Sequence, residues 1–159
     1  MNLERYEFKY SPDQLEYKFY SEGPKGRIEK VVRFQPFITN VGTFMNLGFG
    51  DWDESTQSMN DKVTSDNKDI DKILATLAHI VLDFITRFPD AEVLASGGTP
   101  SRNRLYRMGI NRQYAAISRS FEIFGVTKDN EIEPFIKEID YVGFVVQRKF
   151  YKRSPLDFI

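Results

Sequence analysis

The residues best placed to do chemistry are arginines. Arg102, Arg104, Arg107, Arg112 and Arg119, with Lys128, meet only Glu92 and Glu122 between Ala91 and Lys128, a local excess of four positive charges in a chain whose formal net charge is -1. Guanidinium forks match phosphate and carboxylate geometry, and Tyr106 and Tyr114 offer stacking faces among them. Just before the cluster, Gly97 and Gly98 free the backbone for a tight turn, Thr99 can cap a helix, and Pro100 suits its first position. A helix opening there adds outward-pointing amides and a positive dipole end, both of which favour an anion. The candidate ligand-binding set is therefore Gly97, Gly98, Thr99, Ser101, Arg102, Arg104, Tyr106, Arg107 and Arg112, and the ligand is nucleic acid or a phosphorylated small molecule. A protein partner could use the same arginines and tyrosines. The competing reading makes them a solvated helix face, paired with acids of the Gly50 to Asp71 segment.

Other chemistries find less to work with. The chain has no cysteine and one histidine, His79, so common zinc sites, thiolate nucleophiles and disulfides are excluded. Ser96, Thr99 and Ser101 have only His79 as a base, on a different helix, which does not make a hydrolase triad. The glycine turn lacks the Gly-Lys-Ser/Thr ending of a nucleotide-binding P-loop, and Asp51-Trp52-Asp53 lacks the glycine and glutamate that complete a calcium hand. No catalytic residue, metal ligand or cofactor is assigned.

Several elements must position the arginines. Ala91 to Ser96 reads as a buried strand feeding the glycine turn. Pro100 to about Met108 reads as a helix with Leu105 and Met108 toward the core, Gly109 as its end or a kink, and Asn111 to Arg119 as a resumed helix. Upstream, Ile70, Ile73, Leu74, Leu77, Val81, Phe84, Ile85 and Phe88 recur at helical spacing and predict a helix over Lys68 to Phe88, with Asp66 and Asp69 able to cap it. Its face is expected on a sheet containing Val93 and Val145. Tyr6 to Tyr10, Leu15 to Ser21, Arg27 to Phe34 and Thr43 to Phe49 read as strands, the last three as a meander. Gly50 to Asp71 holds seven acids against two lysines and reads mainly as solvated loop, with Gln57 to Thr64 a weak edge strand. Ser120 to Val126 and Tyr141 to Tyr151 are the remaining strands, and Ile132 to Ile139 is a short mixed segment.

This order specifies an α+β fold: one domain over 1–159, its sheet mostly antiparallel and twisted, with an N-terminal meander, then helix, strand, helix and strands, two main helices packing on it. At 159 residues, 41% of them hydrophobic, the chain can build a substantial core. The N-terminus is too charged for a signal peptide and no apolar run approaches bilayer length, so no membrane is expected and the location is expected to be cytoplasmic.

Two resemblances complete the reading. SEGPKGRIEKVVRF, NLGFGDWD and above all GGTPSRNRLYRMGI resemble a family of small bacterial proteins of unknown function, across nearly the whole chain. That family brings no catalytic residue with it. The run Arg104-Leu105-Tyr106-Arg107-Met108-Gly109-Ile110, between two strands, is similar to the C-terminal part of GCN5-related acetyltransferases, over roughly a third of the chain. That similarity implies coenzyme A pyrophosphate bound at a basic, glycine-containing opening of the main helix. Here the corresponding helix opens with Ser65-Asp66-Asn67-Lys68-Asp69, whose acids oppose a pyrophosphate, so a relative without the activity is implied.

Overall fold

A computed structural model describes residues 4–40, 42–61, 65–96 and 98–149. Its strands are β1 (Lys9–Tyr10), β2 (Glu16–Gly23), β3 (Gly26–Thr39), β4 (Gly42–Asp53), β5 (Ser58–Asn60), β6 (Glu92–Ala95), β7 (Phe121–Val126), β8 (Ile132–Pro134) and β9 (Gly143–Arg148). The helices are α1 (Ile70–Arg87) between β5 and β6, and α2 (Pro100–Ile117) between β6 and β7. The fold is α+β. One nine-stranded sheet runs in the order β1-β2-β3-β4-β6-β9-β7-β8, with β5 pairing β4 off that path.

Every pairing is antiparallel except β4 with β6, which run parallel through Met45↔Val93 and Asn46↔Leu94. The sheet opens beyond that point. β5 occupies the edge of β4 opposite Asp51, Trp52 and Asp53, while β6 continues toward the turn at Gly98. The β2–β3–β4 meander has the predicted order, and β3 is long enough to pair with β4 out to Thr39↔Gly42. Its last five residues, Gln35 to Thr39, pair with β4 beyond the end of β2 and form an arm with it.

Alternation sorts each strand into two faces. Tyr17, Phe19, Val32, Phe34, Leu47, Phe49, Val93 and Val146 are buried in one core with Ile73, Leu77, Ile80 and Phe84 of α1. Phe34 and Phe84 stack with ring centroids 3.9 Å apart. The core residue of β9 is Val146, paired with Val93; Val145, expected there, pairs with Leu94 and lies on the opposite face. A one-residue shift along a strand reverses the face, and four consecutive buried residues, Gly143 to Val146, hide that register in the sequence.

Other differences have local causes. The segment Gly50 to Asp71 is loop only in part, because Gly50 to Asp53 continue β4 opposite Lys30 and Val31 of β3. The strand expected over Tyr6 to Tyr10 shrinks to Lys9–Tyr10; Tyr6 is buried, and its backbone N–H donates to Thr76 Oγ1 on α1 at 2.9 Å. Helix α2 does not end at Gly109. It passes through as one element, and Gly109 packs closely against α1: a Cβ there would lie 3.1 Å from Leu74 Cδ2. The buried residues of α2 are Tyr106, Ile110, Gln113 and Ile117, so Leu105 and Met108 are flanking and half-buried.

Candidate functional site

The turn before α2 is built as its sequence dictates. Gly98 has φ +66, a conformation that only glycine adopts freely, and Thr99 caps the helix by accepting from the Arg102 backbone N–H at 3.2 Å, with Pro100 next. Gly97 lies outside the described residues. Ser101 is exposed on the first turn.

From there the arginines diverge, because a helical turn sends successive side chains to different neighbours. Arg102 turns toward the place where β4 and β6 part: its Nε donates to the Asp61 carbonyl at 3.0 Å and its guanidinium lies 4.8 Å from the Phe49 ring centre. It straps α2 to the diverging strands. Arg112 ion-pairs with Asp71 in the first turn of α1, tying the two helices together. Arg112 matches the alternative in which the cluster pairs with acids of the Gly50 to Asp71 segment, whereas Arg102 meets that segment at a backbone carbonyl. Tyr106, expected to offer a stacking face, is instead buried, and burial pushes its phenol up to about 12. It serves the core, because its place on the helix faces the sheet. Tyr114 is 42% exposed, its ring 5.4 Å from that of Phe135.

Arg104 and Arg107 go elsewhere. Both line a cleft of about 340 Å³ with Lys128 from the β7–β8 turn, and with Asp140 and Val142 from the segment leading into β9. Asp140 is the one acid in that lining and is already ion-paired with Arg107. Arg104 and Lys128 have no ion-pair partner among the described residues. The opening of α2 supplies Pro100 and Asn103 to the same wall. Asp140 was not among the residues singled out from sequence; nothing about an isolated aspartate 33 residues from Arg107 signals that contact.

At the start of α1, acid dominates but is engaged. Asp69 occupies the N-cap without a side-chain cap hydrogen bond; its carboxylate accepts from Tyr6 Oη at 2.6 Å and Ser21 Oγ at 2.5 Å. Asp66 holds Lys68, and Asp71 holds Arg112. His79 sits half-buried on α1, with its pKa lowered by burial and by Arg5. Neither helix is long and apolar enough to cross a membrane.

The class the structure defines is an α+β fold of two helices on a mostly antiparallel sheet. The chain belongs to the family of unknown function DUF6934, whose pattern matches residues 2–149. No curated protein and no solved structure matches it.

Proposed function

We propose that this protein binds a small anionic ligand, a phosphate or carboxylate compound, in the cleft between the first turns of α2 and the β7–β8 turn. The observation that carries this reading is the unbalanced charge of the cleft: Arg104, Arg107 and Lys128 converge on it, and its one acid is neutralised by Arg107. The positive end of the α2 dipole adds to the attraction. A nucleic-acid backbone wants a continuous basic strip. The divergence of Arg102 and Arg112 to separate neighbours breaks such a strip, which favours a compact ligand. The acyltransferase alternative gains nothing from α1, where Asp66, Asp69 and Asp71 stand at the opening that a pyrophosphate would need.

The test is a titration of the whole chain with inorganic phosphate and pyrophosphate, followed by calorimetry or amide NMR shifts. The parent should bind, more weakly as salt rises. Arg104→Glu combined with Lys128→Glu should abolish binding without lowering the melting temperature, since neither side chain holds an ion pair among the described residues. Unchanged binding in the double variant would place the site elsewhere.

A further inference from the structure

We infer that the sheet face turned away from the helices is a binding groove for an uncharged, aromatic or heteroaromatic body whose anionic group sits at Arg104 and Lys128. This rests on the anion-binding reading above and adds to it the class of compound attached to the anion.

The groove follows from register. Phe44, Asn46, Leu94 and Val145 fall on the helix-free face, where Asn46 neighbours Leu94 across β4 and β6, and Leu94 neighbours Val145 across β6 and β9. Two hairpins wall this floor: the β3–β4 arm contributes Phe37 and the β7–β8 hairpin contributes Ile132. Phe44 and Val145 are 6% and 3% exposed although neither α1 nor α2 lies over them, and with Phe37 and Ile132 at its sides the face is concave. The space is about 650 Å³. Small-molecule sites run from about 300 to 1,000 Å³, mostly apolar, with a few polar groups that fix orientation.

Two features select the ligand. First, no described residue lining the groove is charged, which suits a neutral occupant, and the rings of Phe37 and Phe44 favour a flat partner over a sugar. Second, the Asn46 side chain, half-buried in the floor, makes no hydrogen bond among the described residues, nor does that of Asn130 on the rim. An unspent amide on an otherwise apolar floor suits a carbonyl, hydroxyl or ring nitrogen of a bound molecule. Charge then enters from one side only. Val142 lines both the groove and the basic cleft, and Gly98 stands on the groove's rim at the turn that opens α2. The two spaces share Val142 as a wall, one neutral and the other cationic.

The experiment compares 1-naphthyl phosphate, inorganic phosphate and 1-naphthol on the full chain by calorimetry and amide NMR shifts. 1-Naphthyl phosphate should bind at least about tenfold more tightly than phosphate, the gain coming from burial of the ring. It should shift amides of Asn46, Leu94 and Val145 together with those of Arg104 and Lys128. Leu94→Trp, which fills the groove from a half-buried position, should reduce its affinity to that of phosphate. Asn46→Ala should keep the fold and weaken a ring bearing an acceptor, such as quinoline phosphate, more than the naphthyl compound. The groove is refuted, with the anion site intact, if Leu94→Trp leaves 1-naphthyl phosphate binding unchanged while Arg104→Glu with Lys128→Glu abolishes it. If that charge-reversed variant binds 1-naphthyl phosphate as the parent does, the anion site itself fails, and this inference with it. Should Leu94→Trp not fold, the parent's shift map decides, and silent groove amides refute the groove.

Discussion

At the scale of single residues, Asp69 shows how a correct position can conceal a different task. An aspartate just before an apolar helical run is read as a cap, and Asp69 does hold the N-cap of α1. Its carboxylate, however, turns inward to the hydroxyls of Tyr6 and Ser21, beside Asn67, which is 2% exposed and donates to Ser21 Oγ and to the Gly26 carbonyl. This cluster fastens the entry of α1 to the β2–β3 hairpin. Gly23 is part of the fit, since a Cβ there would lie 2.0 Å from the Asn67 carbonyl oxygen. Local sequence carries no trace of it, because the partners lie 48 and 63 residues from Asp69. Asp69→Ala should cost about 1 to 3 kcal/mol, the penalty for stranding partly buried hydroxyls. Asp69→Ser offers a capping hydroxyl but not the reach to Tyr6 and Ser21, and should recover little of it in urea denaturation. Full recovery by serine would show that capping was the role after all. The candidate site divides in the same way: Thr99, Gly98 and the positive charge were legible, whereas the separate destinations of Arg102, Arg107 and Arg112 depended on neighbours distant in the chain.

At the scale of elements, strength of pattern decided what could be read. Helix α1 repeats apolar residues so regularly that its existence and approximate length follow from spacing; of the expected face Ile73, Leu74, Leu77, Phe84 and Ile85 are buried, while Val81 is half-buried, Ile70 and Phe88 are exposed, and Ile80 takes a core place instead. Helix α2 carries its buried face on Tyr106, Ile110, Gln113 and Ile117, two of them polar or amphipathic, so arginines dominate the pattern and Gly109 reads as a break. Packing overrides that propensity, as the approach of Leu74 to Gly109 makes plain. The consequence is measurable at Leu77, which is 6% exposed and, like Tyr106 and Ile110 of α2, borders a small apolar void between the helices and the sheet. Leu77→Ala should destabilise by about 2 to 5 kcal/mol, toward the upper end because the void would enlarge rather than collapse. A variant that melts like the parent would mean that α1 does not pack as described.

For the whole molecule, the order of elements was enough for the fold class but not for the sheet. β9 lies between β6 and β7, so the last described strand inserts inside the sheet, and the face that Leu94 and Val145 share is assembled only once that non-local pairing forms. The tyrosines spread through the fold give this assembly a collective signature. Burial raises the phenols of Tyr6, Tyr17, Tyr106 and Tyr141, assisted for Tyr6 by its hydrogen bond to Asp69 and for Tyr17 by its bond to Asp83. A phenol whose pKa in the fold exceeds its unfolded value near 10.0 stabilises fully below that pH and loses its contribution as pH climbs through the folded value, about 12 for Tyr106. Stability should therefore hold steady from neutrality to about pH 9 and fall above about pH 10. Tyr106 isolates one share of the fall, because its hydroxyl makes no hydrogen bond among the described residues and Tyr106→Phe keeps the ring in the core. That variant should melt within a few degrees of the parent at about pH 8 and lose less of its melting temperature by about pH 11. An equal loss in both proteins would mean that Tyr106 meets solvent freely, and that α2 does not lie on the sheet through this face.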